Sequence, residues 1–406
     1  MRRIDPRNFK VATRGTSREI NRRIALNLVR ERQPISRADL ARLMRKPRSA
    51  VGLLVNDLLA KGTVFEGATG PTLRGRRPKF LYIDTRGRCV VAVDIRVLRT
   101  HIMVTDLFGH QLAGVTSFPT LPDPAHFAAD LVKRVKAILE QHSDLGRCEG
   151  VGVVVPGMVE HETGRVLFAP NLRWRDVPLR EPLEKGLSLP VHVENSGKAC
   201  ALAQVWSTRS QGGMLPSLVF VSVSDGVGVG IVVKGELVRG QHNIAGEFAH
   251  MPISLDGPRC GCGRSGCWQA YVSNLATLSR YFGRDLRLLA PDPREALPLT
   301  IEDLMARANA GDGKAIAAVQ ETARYLGLGL GALINVVDPA VIYMSGEITT
   351  VWEMIEPTLR GGLAERALTP SAAATPIQIV PVEQYPRLRG AAALVAVPAF
   401  AAPVVA

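Results

Sequence analysis

The sequence predicts a mixed α/β chain: a small winged helix-turn-helix over residues 1–80, ending in a basic linker, followed by a larger α/β domain over residues 81–406. Three observations predict it. Residues 1–80 hold 20 of the 50 lysines and arginines but only 6 of the 37 acids, so that segment carries more than the whole net charge of +13 and the remainder is close to neutral. The same segment reads helix, helix, turn, helix, hairpin. From Arg88 the pattern changes to apolar runs of strand length alternating with helices.

The first helix is opened by Thr16 with Glu19, a capping-box pair, and continues through Ile20, Ile24 and Leu28 at helical spacing. Ser36 with Asp39 makes a second box before a short run from Ala38 to Met44. After a break at Arg45-Lys46-Pro47, a third helix carries Val51, Leu54, Val55 and Leu58 on one face, and Gly62 is placed to end it. Two short helices across a tight break are the helix-turn-helix arrangement, with the later one laid in the major groove. Arg48, Ser49 and Gly52 then lie nearest the bases and Asn56 further along, while Arg45 and Lys46 reach phosphates. Residues 63–80 read as a two-stranded wing. Its exit carries Arg74, Arg76 and Arg77, suited to a narrow minor groove. The expected partner is double-stranded DNA; the alternative is a small helical domain whose charges are solvated.

Composition excludes several other classes. With 46% hydrophobic and 21% charged residues, a 406-residue chain builds a sizeable core and two or three domains. No uninterrupted apolar run reaches the roughly 18 residues of a membrane helix. The uncharged tail from Gly390 is interrupted by Pro398 and Pro403, and its first half reads as a buried terminal helix. No apolar stretch of secretory type stands near Met1, so a cytoplasmic protein without a membrane partner is expected. A basic membrane-surface segment would want bulky aromatics, and before Tyr82 there are only Phe9, Phe65 and Phe80.

In the larger domain, residues 89–94 and 101–106 read as paired strands, and residues 151–155, 218–223 and 341–344 as further buried strands. Cys89, Cys148 and Cys200 are scattered singly and fit apolar positions. Cys260, Cys262 and Cys267 cluster among glycines, which in a chain of this type favours metal over disulfide.

At these residues the chain resembles a known family, the ROK (repressor and sugar kinase) proteins, and within it the sugar-responsive regulators with an N-terminal winged helix. The resemblance spans roughly residues 15–400. It is carried by Pro156-Gly157-Met158-Val159, Pro170-Asn171-Leu172-Arg173-Trp174, Val193-Glu194-Asn195, the turn Asp225-Gly226-Val227-Gly228-Val229-Gly230, Gly246-Glu247-Phe248-Ala249-His250-Met251 and the cysteine cluster. It implies an actin-like fold, two α/β lobes with a sugar cleft between them.

His250 precedes Cys260 by ten residues, and three thiolates with one imidazole suit a closed tetrahedral zinc site, hence a structural one. The family carries the same ligand set. The resemblance also places sugar hydroxyls on the region of Gly157, on Asn171, Asn195, Glu247 and His250, and on the residue after Cys267-Trp268. That residue is Gln269, where the family usually has glutamate. Taken alone, Asn171 and Asn195 also read as loop caps, and Glu247 with His250 as a surface helix pair.

Phosphotransfer residues are missing. The family's base is the last residue of Glu-Asn-Asp, and this chain reads Glu194-Asn195-Ser196; a serine of ordinary pKa cannot take the proton. The first phosphate turn of the family is Asp-x-Gly-Gly-Thr, whereas here Asp94 is followed by Ile95, Arg96, Val97 and Leu98. The glycine-rich helix around Gly327–Gly331 and the Ser345-Gly346-Glu347 turn, near the position of the family's adenosine site, read as relics of the fold. Where family regulators often read Thr-Val-Ser in the third helix, this chain has Ala50-Val51-Gly52.

The expectation is a non-enzymatic, sequence-specific transcription regulator, a repressor of sugar uptake or catabolism genes. It would act as a homodimer or homotetramer controlled by a sugar or sugar derivative. The alternatives are a ROK sugar kinase, and a DNA-binding protein that is ligand-blind or controlled by a protein partner.

Overall fold

The structure, a computed structural model, describes residues 14–69, 79–210, 217–286 and 299–400. It separates into two compact units. The first holds the described residues up to Arg88, the end of one helix from Trp206, and the described residues from Ala396; the second holds the remainder.

The first unit runs α1 (Arg14–Arg32), β1 (Ile35–Ser36), α2 (Arg37–Met44), α3 (Arg48–Ala60), β2 (Val64–Thr69) and β3 (Lys79–Ile83). The Asp39 amide donates to Ser36 Oγ at 3.1 Å and the hydroxyl donates to the Asp39 carboxylate at 2.6 Å, which fixes the start of α2. Arg45 ends α2 in the left-handed region, with φ 51. Pro47 then leads into α3 without a side-chain cap, and α3 buries Val51, Leu54, Val55 and Leu58 as its spacing predicts. Strands β1, β3 and β2 form one antiparallel sheet in that order, the wing. Its arginine-rich exit, with Arg74, Arg76 and Arg77, lies outside the described residues.

Helix α1 departs from expectation. It has already begun at Arg14, so Thr16 does not cap it, and Glu19 instead pairs with Arg22 and with Arg23. Its inner face is Ala25, Leu26 and Val29, while Ile24 is 43% exposed. The rotation that achieves this buries Arg30, whose guanidinium lies under the rings of Trp206 and Phe400.

The second unit has two lobes. The first is built from β4 (Arg88–Ile95), β5 (Arg99–Thr105), β6 (Thr116–Pro119), α4 (Pro124–Gln141), β7 (Arg147–Val155), β8 (Met158–Glu160), β9 (Arg165–Ala169), β10 (Trp174–Pro178), α5 (Arg180–Leu187) and β11 (Val191–Asn195). Its main sheet has the order β11-β7-β4-β5-β6, and β8 to β10 form a small antiparallel sheet beside it. Helix α6 (Ser196–Ser210) leads out of this lobe.

The second lobe runs β12 (Ser217–Val223), β13 (Val227–Val233), β14 (Glu236–Leu237), α7 (Gln269–Val272), α8 (Asn274–Phe282), α9 (Ile301–Asn309), α10 (Gly313–Val337), β15 (Val341–Gly346), α11 (Trp352–Ala364), α12 (Pro370–Ala373) and β16 (Ile377–Ile379). Its sheet has the order β14-β13-β12-β15-β16, with β12, β15 and β16 parallel. Helix α13 (Pro386–Phe400) returns to the first lobe.

Both central strands are buried on both faces, which is why they read as continuous apolar runs. Along β4, Val91, Val93 and Ile95 pack with Phe127 and Leu131 of α4, while Val90 and Ala92 meet Leu388 and Ala391 of α13. The terminal apolar helix is therefore the second cover of the first-lobe sheet. Along β12, Val219, Val221 and Val223 face the α8–α11 layer, and Leu218 and Phe220 face Cys200, Ala201 and Val205 of α6.

The glycines of α10 have a packing role. A Cβ on Gly327 would lie 2.1 Å from the Leu359 carbonyl, and one on Gly329 would lie 2.1 Å from the Trp268 ring. They let α10 press against α11 and the indole. Cys89 and Cys200 are buried and Cys148 half-buried. No described helix is long and apolar enough to cross a membrane.

Candidate functional site

Three loops and two strand ends converge between the lobes. Gly157 follows β7, Asn195 ends β11, Asn171 sits on the turn after β9, Glu247 and His250 flank a short 3-10 turn, and Gln269 opens α7. All six sugar-binding candidates line one cleft, together with Ser196, Asp225, Gly226, Gly228, Arg96 and Arg387.

Their amides are held in place. Asn195 Nδ2 donates to the Gly157 carbonyl at 2.7 Å and its Oδ1 accepts from the Lys198 amide at 3.1 Å, so it both caps α6 and ties down the Gly157 turn. The Val227 amide donates to Gln269 Oε1 at 3.0 Å, and the Gln269 NH2 approaches Cys260 Sγ at 4.0 Å. Asn171 Nδ2 approaches the Asp225 carbonyl at 3.4 Å. Burial raises the Glu247 carboxyl above its ordinary value, with the Lys198 ammonium opposing. Lys198, which sequence reasoning missed, is itself buried and donates to the Asn243 carbonyl.

Below the cleft, Glu194 is 1% exposed. It accepts from the Asn195 amide at 2.9 Å and from Arg239 Nε at 3.2 Å, and faces His161 Nδ1 at 3.5 Å. Burial pushes its carboxyl up, but His161, Arg239 and the amide outweigh that and hold it below its ordinary range.

The turn after β4 contains a second set of contacts that the sequence did not reveal. Arg96 Nε donates to Asp94 Oδ2 at 2.7 Å and its guanidinium lies 3.7 Å from Glu347 Oε1, across the two lobes. Arg387, at the start of α13, donates to Ser222 Oγ at 3.2 Å and lies 4.0 Å from Asp94 Oδ1. Glu347 also accepts from Ser224 Oγ at 3.3 Å and from Asn274 Nδ2 at 3.1 Å. Protein charges face one another here, although Asp94 Oδ1 accepts no hydrogen bond. A phosphate-binding turn needs open backbone amides and small side chains instead. The pairing of Asp94 with Arg96 was hidden because its other members lie some 250 to 290 positions along the chain.

His250, Cys260, Cys262 and Cys267 come together with their ligand atoms all within 4.8 Å of one another, a cluster that could hold a metal ion. Cys260 Sγ lies 3.6 Å from His250 Nδ1, and Cys262 Sγ lies 3.7 Å from Cys267 Sγ. Metal–sulfur bonds of about 2.3 Å in a tetrahedron give sulfur–sulfur edges of roughly 3.8 Å, so the donor set fits zinc. Gly266, with φ 71, is required by the loop: a Cβ there would lie 1.5 Å from the Ser254 carbonyl oxygen. His250 Nε2 lies 4.0 Å from Glu247 Oε2, so the cluster and the cleft share a wall.

In the first unit, Arg45, Lys46, Arg48 and Ser49 are exposed at the turn into α3 and on its first turn. Gly52 and Asn56 follow on the same outer face. Asn56 Oδ1 accepts from Arg37 Nη1 at 2.8 Å, and Arg37 also pairs with Glu66 at 2.9 Å, bracing α3 against the wing. Leu53, on that face and 68% exposed, was not singled out in the sequence.

Fold and cleft together define a two-lobed, actin-like architecture of the sugar-kinase type preceded by a winged helix-turn-helix. Residues 90–397 match the ROK family model, and the chain belongs to the ROK family. It is 27% identical over 358 residues to the xylose repressor of Bacillus subtilis (strain 168), covering 88% of this chain and 89% of that protein. It is 31% identical over 230 residues to a glucokinase of Halalkalibacterium halodurans, covering 55% of this chain and 68% of that protein. Among solved structures, a ROK family transcriptional regulator described as a homologue of E. coli MLC superposes with a TM-score of 0.78 at 26% identity, covering 95% of this chain and 97% of that one.

Proposed function

We propose that this protein is a sequence-specific DNA-binding transcription regulator, a repressor of sugar uptake or catabolism genes, whose kinase-like cleft binds a sugar or sugar derivative without phosphoryl transfer. The observation that carries the reading is the outer face of α3, exposed and flanked by Arg45, Lys46 and Arg48 within residues 1–80, the segment that carries the chain's whole positive balance. Phosphate contacts from these side chains position the helix, and Arg48 and Ser49 read base edges.

In the cleft, Gly157, Asn171, Asn195, Glu247, His250 and Gln269 hold the effector's hydroxyls. Ser196 stands where a kinase needs a base, and the Asp94–Arg96–Glu347 contacts occupy the first phosphate turn. Zinc on His250, Cys260, Cys262 and Cys267 orders the loop that carries one wall of the cleft. The metal supplies structural order only, since four protein ligands leave no open position. A homodimer or homotetramer in the cytoplasm places two recognition helices on a pseudo-palindromic site. The effector changes DNA affinity by the difference in its own affinity for the two arrangements.

The test is selection of genomic fragments by the zinc-loaded full chain, with and without D-xylose, D-glucose or N-acetylglucosamine. One enriched pseudo-palindrome near sugar genes, released by one of the sugars, is expected. No enrichment above nonspecific binding overturns the reading. A sugar kinase is favoured by the retained Gly226 and Gly228 turn and by the glucokinase relative; ATP consumption with hexoses would reveal it.

A further inference from the structure

The outer face of α3 carries two features that its own fold does not use. Gly52 lies inside the helix, where glycine is the weakest helix former after proline. A Cβ built on it meets nothing within 4 Å, so neither packing nor backbone conformation calls for glycine there. The next residue, Leu53, is 68% exposed although it stands among polar and basic neighbours. Ser49, Gly52, Leu53 and Asn56 share one helical face, at spacings of three and four residues.

The surroundings say what covers this face. Arg42 is 79% exposed at its side chain, and Arg45, Lys46 and Arg48 are exposed beside it. Nearby acids are neutralised from within: Asp39 pairs with Arg42 at 3.1 Å, and Asp57 with Arg22 at 3.2 Å. An apolar side chain framed by exposed cations matches a duplex, whose phosphates flank a major groove in which the thymine 5-methyl is the apolar feature.

Resting on the regulator reading above, we infer that Leu53 is a base-reading residue that packs on a thymine 5-methyl group, and that Gly52 is the point where the helix comes closest to the groove. Glycine at 52 removes the side chain that would hold α3 off the base edges. Leu53 then reaches the floor of the groove with a branched apolar tip, while Arg48 reads from the turn before it. Specificity on this helix is thus split between an apolar and a charged contact.

The experiment selects binding sites from a random duplex library with the zinc-loaded full chain as wild type, Leu53→Ala and Gly52→Ala. Circular dichroism melting checks that each is folded. Leu53→Ala is expected to lose the thymine preference at one position per half-site and keep the rest. Replacing that thymine by uracil, which lacks only the methyl, should weaken wild-type binding about threefold, the worth of one buried methyl group, and leave Leu53→Ala unaffected. Gly52→Ala should melt higher than wild type yet bind the selected site at least about tenfold more weakly. An unchanged site from Leu53→Ala, or no penalty for uracil in the wild type, overturns the role of Leu53, as would be seen if the face met a protein instead. Gly52→Ala binding as wild type does overturns the clearance. Failure of the wild type to enrich any site overturns the regulator reading and this inference together.

Discussion

The guanidinium of Arg30 lies 4.1 Å from the ring centre of Trp206, and the Phe400 ring lies 5.5 Å away on the same group. Arg30 is 1% exposed. A charged side chain at that depth is tolerated because Glu31 pairs with Arg30 Nη2 at 3.3 Å and two aromatic faces add negative potential where water is excluded. Trp206 and Phe400 come from the ends of α6 and α13, so the first unit completes its core with residues far along the chain. Trp206→Ala should therefore destabilise this unit by about 3–5 kcal/mol, and Trp206→Phe by distinctly less. Urea denaturation followed by circular dichroism measures both; equal losses would contradict a stacking role.

The metal cluster makes a separate prediction. Zinc-loaded protein should contain about one metal ion per chain, and Cys262→Ser should release it and lower the melting temperature by several degrees. Burial pushes the Cys260 thiol up to about 12, so the sulfur serves as a thiolate only beside a cation. Elemental analysis with a chelator titration checks this. Full metal retention by the variant would argue against Cys262 as a ligand.

Arg96→Ala removes the hydrogen bond to a carboxylate that is 1% exposed. Arg387, 4.0 Å from the other Asp94 oxygen, compensates in part. A loss of about 2–3 kcal/mol is expected, with no ATP consumption gained in the presence of glucose. A variant that phosphorylates glucose would show that the arginine alone blocked the phosphate turn.

Acid should weaken the second unit through Glu194. Its folded carboxyl is held below the ordinary value of 4.5, so its stabilising contribution is complete above that value. The contribution is lost as pH falls through the lowered pKa. Glu194→Gln should cost about 2 kcal/mol at pH 7 and flatten the decline of stability below about pH 4.5. Chemical denaturation across pH 3–7, about four units, is the measurement; parallel curves for both proteins would sink the assignment.

Glu247→Ala tests the effector site. It should keep the DNA selection of the wild type while the sugar that releases wild-type protein no longer acts, a shift of at least about tenfold in the sugar concentration required. An unchanged response to the sugar would remove Glu247 from the site.

Much of this was legible in the sequence because it is local. The Ser36–Asp39 box, the apolar face of α3, the apolar runs at 89–94 and 101–106, and the Cys-x-Cys-x4-Cys spacing each act within a few residues, over which chain geometry is nearly fixed. The motifs around Gly157, Asn171, Asn195, Glu247 and Gln269 were readable one by one, and their meeting in one cleft is a matter of the lobes. Helix α1 was misjudged because Ile20, Ile24 and Leu28 are as periodic as Ala25 and Val29, and packing against α2, α3, β3, Trp206 and Phe400 chooses between the two faces.

The sequence by itself determined the segregation of charge, the order of elements, the His250, Cys260, Cys262 and Cys267 candidate set and the serine at position 196. Those follow from residue identity and short-range spacing. Only the tertiary structure decided that Arg96 pairs with Asp94 and Glu347, that α13 covers the β4 face, that Arg30 is buried, and that Leu53 stands uncovered. Each of these depends on which distant surfaces exclude water from which side chain, and that is set by packing between elements hundreds of residues apart.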